Sequence, residues 1–251
     1  MRCRRFLAMP ACCAWLCLAA LAVARGDEIA DYLAKVKESV AAYDKLIAED
    51  PKNAGAYNQR GAAKFKLGQI EESIADFDKF LSLEPDAEPA HWMRGISYYY
   101  AGEFEKGRKQ FEGYQTYDSN DVENAVWRYL CMAPEVGVEQ ARDEILKIGD
   151  DRRVPMRQVY DLFAGKATAD DVLAAVEAGD PPAAKKNERL FYAHLYLGLY
   201  AEANGQDEEA LAHLQQAQSH RIGHYMWDVA RVHGERRAKG ERPKAKETID
   251  N

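Results

Sequence analysis

Between residues 39 and 119, apolar, small and turn-forming positions return every 34 residues. Pro51 is followed by Pro85, and then by Ser119 in the loop-like stretch Tyr117-Asp118-Ser119-Asn120. The same step links Gly61 to Gly95, Gly68 to Gly102, Phe77 to Phe111 and Phe80 to Tyr114; read backwards, it links Phe77 to Tyr43 and Ser73 to Ser39. Apolar positions at helical spacing flank the second glycine of each period, which predicts two helices joined by a turn. Residue size gives each position its role. A small residue at Gly61 or Gly95 lets the first helix approach the second closely, the aromatic at Tyr43, Phe77 or Phe111 fills the interface, and the proline opens the next unit. One such unit cannot bury its apolar face alone, so stacking into a helical solenoid is expected.

Further along, the period weakens but the helical spacing persists. Val126, Tyr129 and Leu130, then Ile145 and Leu146, then Val159 and Phe163, then Val172, Leu173 and Val176 mark short helices. Pro134, residues 149–151 and residues 179–182 divide them, and Thr168 or Asp170 supplies a cap. The pattern returns late, in His194, Leu197-Gly198, Gly205, Ala210-Leu211, Leu214 and Ala217. The expected organisation is repeats at about 27–53, 54–87 and 88–121, degenerate helical hairpins over 122–182, a repeat over 191–223, and a helix over 224–233 that covers the last repeat. The Lys-, Arg- and Glu-rich stretch 234–251 has no apolar face and is expected to be disordered.

Charge changes the picture at the amino end. The chain of 251 residues carries 34 Lys plus Arg against 41 Asp plus Glu, a net charge of -7. This acidic balance disfavours nucleic acid as a partner, because phosphates are met by clustered Lys and Arg. Residues 6–24 carry no charge, follow Arg2, Arg4 and Arg5, and end in Ala22-Val23-Ala24. That is the layout of a secretory signal peptide over 1–24. A retained anchor is the competing reading, since nineteen residues just span a bilayer, but seven alanines and Pro10 weaken the run. Cleavage would remove three arginines and no acid, leaving 31 basic against 41 acidic residues, a balance of -10. Four of the five cysteines would go too, leaving Cys131 as a single thiol, expected to be buried and inert. The expected location is the periplasm or cell envelope, with membrane association only if the segment is retained.

The repeated segments AYNQRGAAKFKLGQIEESIADFDKFLSLEP (56–85) and AHWMRGISYYYAGEFEKGRKQFEGYQTYDS (90–119) resemble the tetratricopeptide repeat (TPR) family, as does HLYLGLYAEANGQDEEALAHLQQA (194–217). The fold class this implies is all-α, a TPR-type helical-hairpin solenoid with a degenerate central segment. Over residues 54–232 the chain also resembles the NlpI-type TPR lipoproteins of the bacterial envelope. That likeness is carried by Ala90-His91 with Arg94-Gly95 and Tyr98-Tyr99, Trp127 with Tyr129-Leu130, Phe163 with Gly165, and Phe191-Tyr192 before Leu197-Gly198. It implies a dimeric, non-enzymatic adaptor that brings murein hydrolases together with a periplasmic protease. No cysteine here has the setting of a lipoprotein acceptor, which departs from that family.

In such a stack the first helices line a concave groove suited to an extended peptide or a helix. Repeat positions 5, 9, 12 and 13 face it: Asn58, Ala62, Phe65 and Lys66 in one unit, Trp92, Ile96, Tyr99 and Tyr100 in the next. Trp92, Tyr99 and Tyr100 are the candidate contacts, since aromatics with polar tips are frequent binding anchors; Tyr99 reads equally well as packing between helix pairs. Asn58, Ala62 and Met93 do not reproduce the Lys and Asn set with which some TPR domains clamp a carboxylate. Arg60 and Arg94 are read as structural, as are His91 and His194. Catalytic signatures are missing: there is no GxSxG, HExxH, paired CxxC or acidic calcium loop, and the Gly102–Gly107 spacing lacks the Lys-Ser/Thr end of a P-loop. No enzyme activity and no cofactor are expected. Partners are expected to be proteins or peptides, with a homodimer as an option, and the output either an adaptor or an assembly scaffold. The alternative from another class is a metal-binding enzyme using His220 and His224, four residues apart. Glu71-Glu72 and Asp150-Asp151 read as solvated carboxylates.

Overall fold

The computed structural model describes the backbone of residues 11–244 and the side chains of residues 26–244. Of the expected signal segment 1–24, residues 1–10 lie outside the described residues and 11–24 are described as helical backbone only; residues 245–251 also lie outside. A long helix α1 (Ala11–Glu49) leads into hairpins of α2 (Ala54–Lys66) with α3 (Ile70–Leu83), α4 (Trp92–Tyr100) with α5 (Phe104–Tyr114), and α6 (Val122–Val136) with α7 (Val138–Asp143). Then come α8 (Met156–Phe163) with α9 (Ala169–Val176), α10 (Ala183–Ala203) with α11 (Asp207–Ser219), and a final helix α12 (Tyr225–Ala238). Among the described residues no helix is long and apolar enough to cross a membrane.

The 34-residue period has a steric cause. A Cβ at Gly61 would stand 2.8 Å from the Phe77 ring, one at Gly95 would stand 2.7 Å from Phe111, and one at Gly198 would stand 2.8 Å from Leu214. The hairpin interface closes only because those positions have no side chain. The turn glycines Gly68, Gly102 and Gly205 take φ of +75, +71 and +74°, which an L side chain rarely adopts.

Arginine gives the repeat a second signature. Arg60, Arg94 and Arg128 stand 34 residues apart, and each reaches back to a carboxylate of the preceding unit: Asp44 at 2.7 Å, Asp78 at 3.1 Å and Glu112 at 3.0 Å. Each also reaches forward, to Asp76 at 2.6 Å, Gln110 at 2.6 Å and the Glu144 carbonyl at 2.7 Å. Asp44 and Asp78 are half exposed, so those links add little free energy and mainly fix the register of one hairpin on the next. Arg128 sits on α6, so the unit read from sequence as degenerate begins in register. Its departure starts after α6, where the second helix α7 shrinks to six residues. Within the same segment Thr168 forms a capping box with Asp171.

The last helix departs from expectation. It packs on α11, as a cover for the last repeat would, but it also reaches the first units and meets α2. Tyr225 stacks on Phe65 at 5.1 Å, Trp227 meets Tyr32 of α1 edge-on at 5.8 Å, and Tyr32 donates a 2.7 Å hydrogen bond to Asp228. Arg231 donates to the Lys66 carbonyl, and the Tyr100 hydroxyl lies 3.0 Å from His233 Nδ1. The helix runs to Ala238, five residues beyond the boundary read from sequence, and Arg237 within it and Arg242 beyond it both pair with Asp207. Charge without an apolar stripe marked 234–251 as disordered; within its described part, Arg237 and Arg242 pair with Glu202 of α10 and Asp207 of α11.

Candidate functional site

Of the eight residues expected to line the groove, four are buried and four are partly buried. Phe65, Ile96, Tyr99 and Tyr100 are buried. Phe65 and Tyr100 lie under Tyr225 and His233 of α12, and Tyr99 packs edge-on against Trp127 at 5.4 Å and close to Phe104. Their assignment as open contacts is corrected: the chain's own last helix occupies the groove, and Tyr99 is core. Asn58 Oδ1 lies 3.0 Å from His91 Nε2, and Lys66 is half-buried beside Asp228 at 3.7 Å. Trp92 alone of the three candidate aromatics keeps a partly open ring, against Tyr225 and His224.

Beside Trp92 the groove stays open as a cavity of about 190 Å³ between α4, α5, α6, α10 and the start of α12. Trp92, Ile96, Trp127 and Tyr192 form its apolar walls, and Asp121, Glu123, Asn124 and Arg153 its polar side. The first turn of α6 positions the polar groups. Asp121 is its N-cap, accepting from the Glu123 amide at 3.0 Å, which turns Glu123 and Asn124 toward the same side. Arg153, from the loop before α8, reaches Asp121 at 2.5 Å, Glu123 at 2.6 Å and Asp151 at 2.6 Å. Tyr196 donates a 2.5 Å hydrogen bond to Glu123 Oε1. Asp151, expected to be solvated, instead has a buried side chain that accepts from Arg153 and from the Val122 amide; Asp150 is exposed as expected.

Three carboxylates therefore surround one guanidinium, an excess of two negative charges. Burial, and then the neighbouring Glu123 charge, push the Asp121 carboxyl up to about 6. Burial opposes ionisation of Asp151 too, yet its hydrogen bond to Arg153 holds it below the usual range. Burial and then Arg153 keep His224 below its ordinary value. Two buried polar atoms of lining residues, Asn124 Oδ1 and Trp127 Nε1, have no hydrogen-bond partner among the described residues.

The histidine pair of the metal reading does not converge. His220 Nδ1 lies 3.0 Å from Asn187 Oδ1 and its ring stacks on His194, whereas His224 caps α12 and stacks on Trp92. Helix α11 ends at Ser219 and α12 begins at Tyr225, so the two histidines share no helical face. Among the described residues no group of three or more His, Cys, Asp or Glu side chains could hold a metal ion. His91 is structural: Nδ1 caps α4 by accepting from the Arg94 amide at 3.2 Å.

Residues 42–75 match the family model for the tetratricopeptide repeat. The match spans the end of α1, the whole of α2 and the start of α3, the unit whose Gly61–Phe77 contact and Arg60 links recur 34 residues later. The fold is an all-α solenoid of helical hairpins, and the unit over 42–75 is a tetratricopeptide repeat. No curated protein matches the chain. Among solved structures it is similar to a tetratricopeptide repeat protein from Parabacteroides merdae ATCC 43184, at 15% identity over 79% of this chain and 78% of that one, with a TM-score of 0.46. It is also similar to YrrB, described as a TPR protein with an unusual peptide-binding site, at 18% identity over 75% of this chain and 96% of that one, with a TM-score of 0.37. Both superpositions fall below a TM-score of 0.5 and carry no weight for the function of this chain. Sequence patterns singled out Trp92 and Ile96 of the cavity but missed Asp121, Glu123, Asn124, Arg153 and Tyr192. The Asp-x-Glu pair before an apolar run was visible as a helix start; its partner Arg153, 30 residues on, follows no period.

Proposed function

We propose that this solenoid is a non-enzymatic adaptor, exported to the cell envelope, which binds partner polypeptides on its concave face. A tetratricopeptide fold is suited to protein or peptide binding, and one observation carries the reading here. The groove already accommodates a helix, α12, on Phe65, Trp92 and Tyr100, and leaves beside it a cavity with aromatic walls and a charged edge. That is helix-in-groove recognition with room for one further anchor. The resemblance to NlpI-type lipoproteins supports murein hydrolases or a periplasmic protease as clients, and the uncharged segment before Arg25 supports export.

The test is a photo-crosslinking residue at position 92 of the chain expressed in a bacterial host with its own leader. The expected result is a discrete adduct in the envelope fraction, identified by mass spectrometry, on a protein whose amino terminus is Arg25. Adducts absent at position 92 but present at a convex site such as Leu211 would move the binding face; a chain found uncleaved in the cytosol would end the envelope assignment.

A further inference from the structure

We propose that the cavity beside Trp92 takes the arginine side chain of a partner polypeptide; this rests on the adaptor reading and names the chemistry its face selects. Size sets the scale first. At about 190 Å³ the space is below the range of about 300–1,000 Å³ typical of sites for drug-sized ligands and near the roughly 150 Å³ that holds one benzene. It fits one side chain, not a cofactor.

Charge then selects the kind of side chain. Arg153 bonds to Asp121, Glu123 and Asp151 at once, so its own charge answers only one of three carboxylates. Both hydrogen bonds described for Asp121 fall on Oδ1, which leaves its other oxygen as an acceptor toward an incoming donor. The unpartnered atoms sharpen the choice. Asn124 and Trp127, both among the residues that line the cavity, are 3% and 1% exposed, and each has one buried polar atom unsatisfied, an acceptor at Asn124 Oδ1 and a donor at Trp127 Nε1. A buried polar atom left this way has lost its water without gaining a partner, a cost that an incoming partner recovers.

An arginine residue carries both complements. Its guanidinium offers five N–H donors in a plane, matched to Asp121 and Asn124, and its main-chain carbonyl is an acceptor for the indole N–H. The partly open rings of Trp92 and Tyr192 line the cavity, and a guanidinium is held on such rings better than a strongly hydrated ammonium. Burial has pushed the Asp121 carboxyl up, and an added cation would relieve that cost.

The test titrates the full-length protein with acetyl-Ala-Arg-Ala-amide and with the neutral citrulline and the lysine counterparts, following tryptophan fluorescence and heat. The expected result is saturable binding of the arginine peptide, at least tenfold weaker for citrulline and weaker for lysine. Asp121→Asn keeps a capping side chain and Asn124→Leu removes the amide; each should weaken the arginine peptide at least tenfold with helicity unchanged. Equal affinity for the arginine and citrulline peptides, equal affinity for arginine and lysine, or no binding at all overturns the proposal. If crosslinking at position 92 still captures an envelope protein in that case, the adaptor reading stands and only the arginine pocket falls. If that crosslink is also absent, both fall.

Discussion

The helix in the groove is held by a charged pair that water does not reach, and this makes its removal measurable. Arg231 and Asp228 have side chains 3% and 4% exposed and lie 3.2 Å apart. Arg231 also donates to the Lys66 carbonyl, and Asp228 accepts from Tyr32. Arg231→Met deletes the cation and leaves the carboxylate buried. Breaking a buried pair in this way costs about 3–5 kcal/mol, and Lys66, 3.7 Å from Asp228, brings the expectation to about 3. Arg231→Met with Asp228→Asn removes both charges, and replacing a whole buried pair is close to neutral, so the double variant should recover at least half of the loss. The assay is urea unfolding of both variants, with amide exchange over residues 225–238. Exchange there should accelerate in Arg231→Met before global unfolding, since α12 is the element the pair fastens to α1 and α2. A single variant that loses under about 1 kcal/mol, or a double variant no more stable than the single, would refute the role of the pair.

Three further outcomes are expected. Gly95→Ala puts a Cβ 2.7 Å from the Phe111 ring; overpacking of about 1–3 kcal/mol exceeds the gain of about 1 from alanine in a helix, so the melting temperature falls, whereas Gly113→Ala, with nothing within 4 Å, raises it. His91 is held at about 4 by burial, and then by Arg94, below its ordinary 6.5; the unfolded chain binds the proton first as pH drops, so its contribution is intact above 6.5 and lost from there down to 4, and His91→Asn, which keeps a cap, should remove roughly 2 kcal/mol of the stability difference between about pH 7 and about pH 4.5 in urea titrations. Burial pushes the Cys131 thiol far above its ordinary value, and alkylation mapped by mass spectrometry should leave it unmodified in the native protein and modify it in urea; fast native labelling would contradict the core placement.

What the sequence disclosed, and what it concealed, divides along one physical line. The Gly61–Phe77 and Gly95–Phe111 contacts lie within single hairpins and recur, so a fixed offset is enough to reveal them. Phe65, Lys66, Trp92 and Tyr100, expected to line the groove, all meet α12. The groove's occupant was not legible, for a reason that belongs to α12 itself. Residues 226–233 of that helix are buried without a break, Asp228, Arg231 and His233 among them. A helix enclosed on every side has no wet face, and therefore no 3.6-residue alternation by which to recognise its burial. Its buried charges find partners on α1, α2 and α10, contacts between the two ends of the chain that no local pattern encodes. The same holds for the cavity, where Asp121 and Glu123 share a helix turn but Arg153 and Tyr192 arrive from other units. Repetition makes the scaffold readable, while the proposed binding face is assembled where the repeats differ from one another. It follows that substitutions in the repeated glycines and aromatics should be read out as stability, and substitutions at Asp121, Asn124 and Trp92 as partner choice.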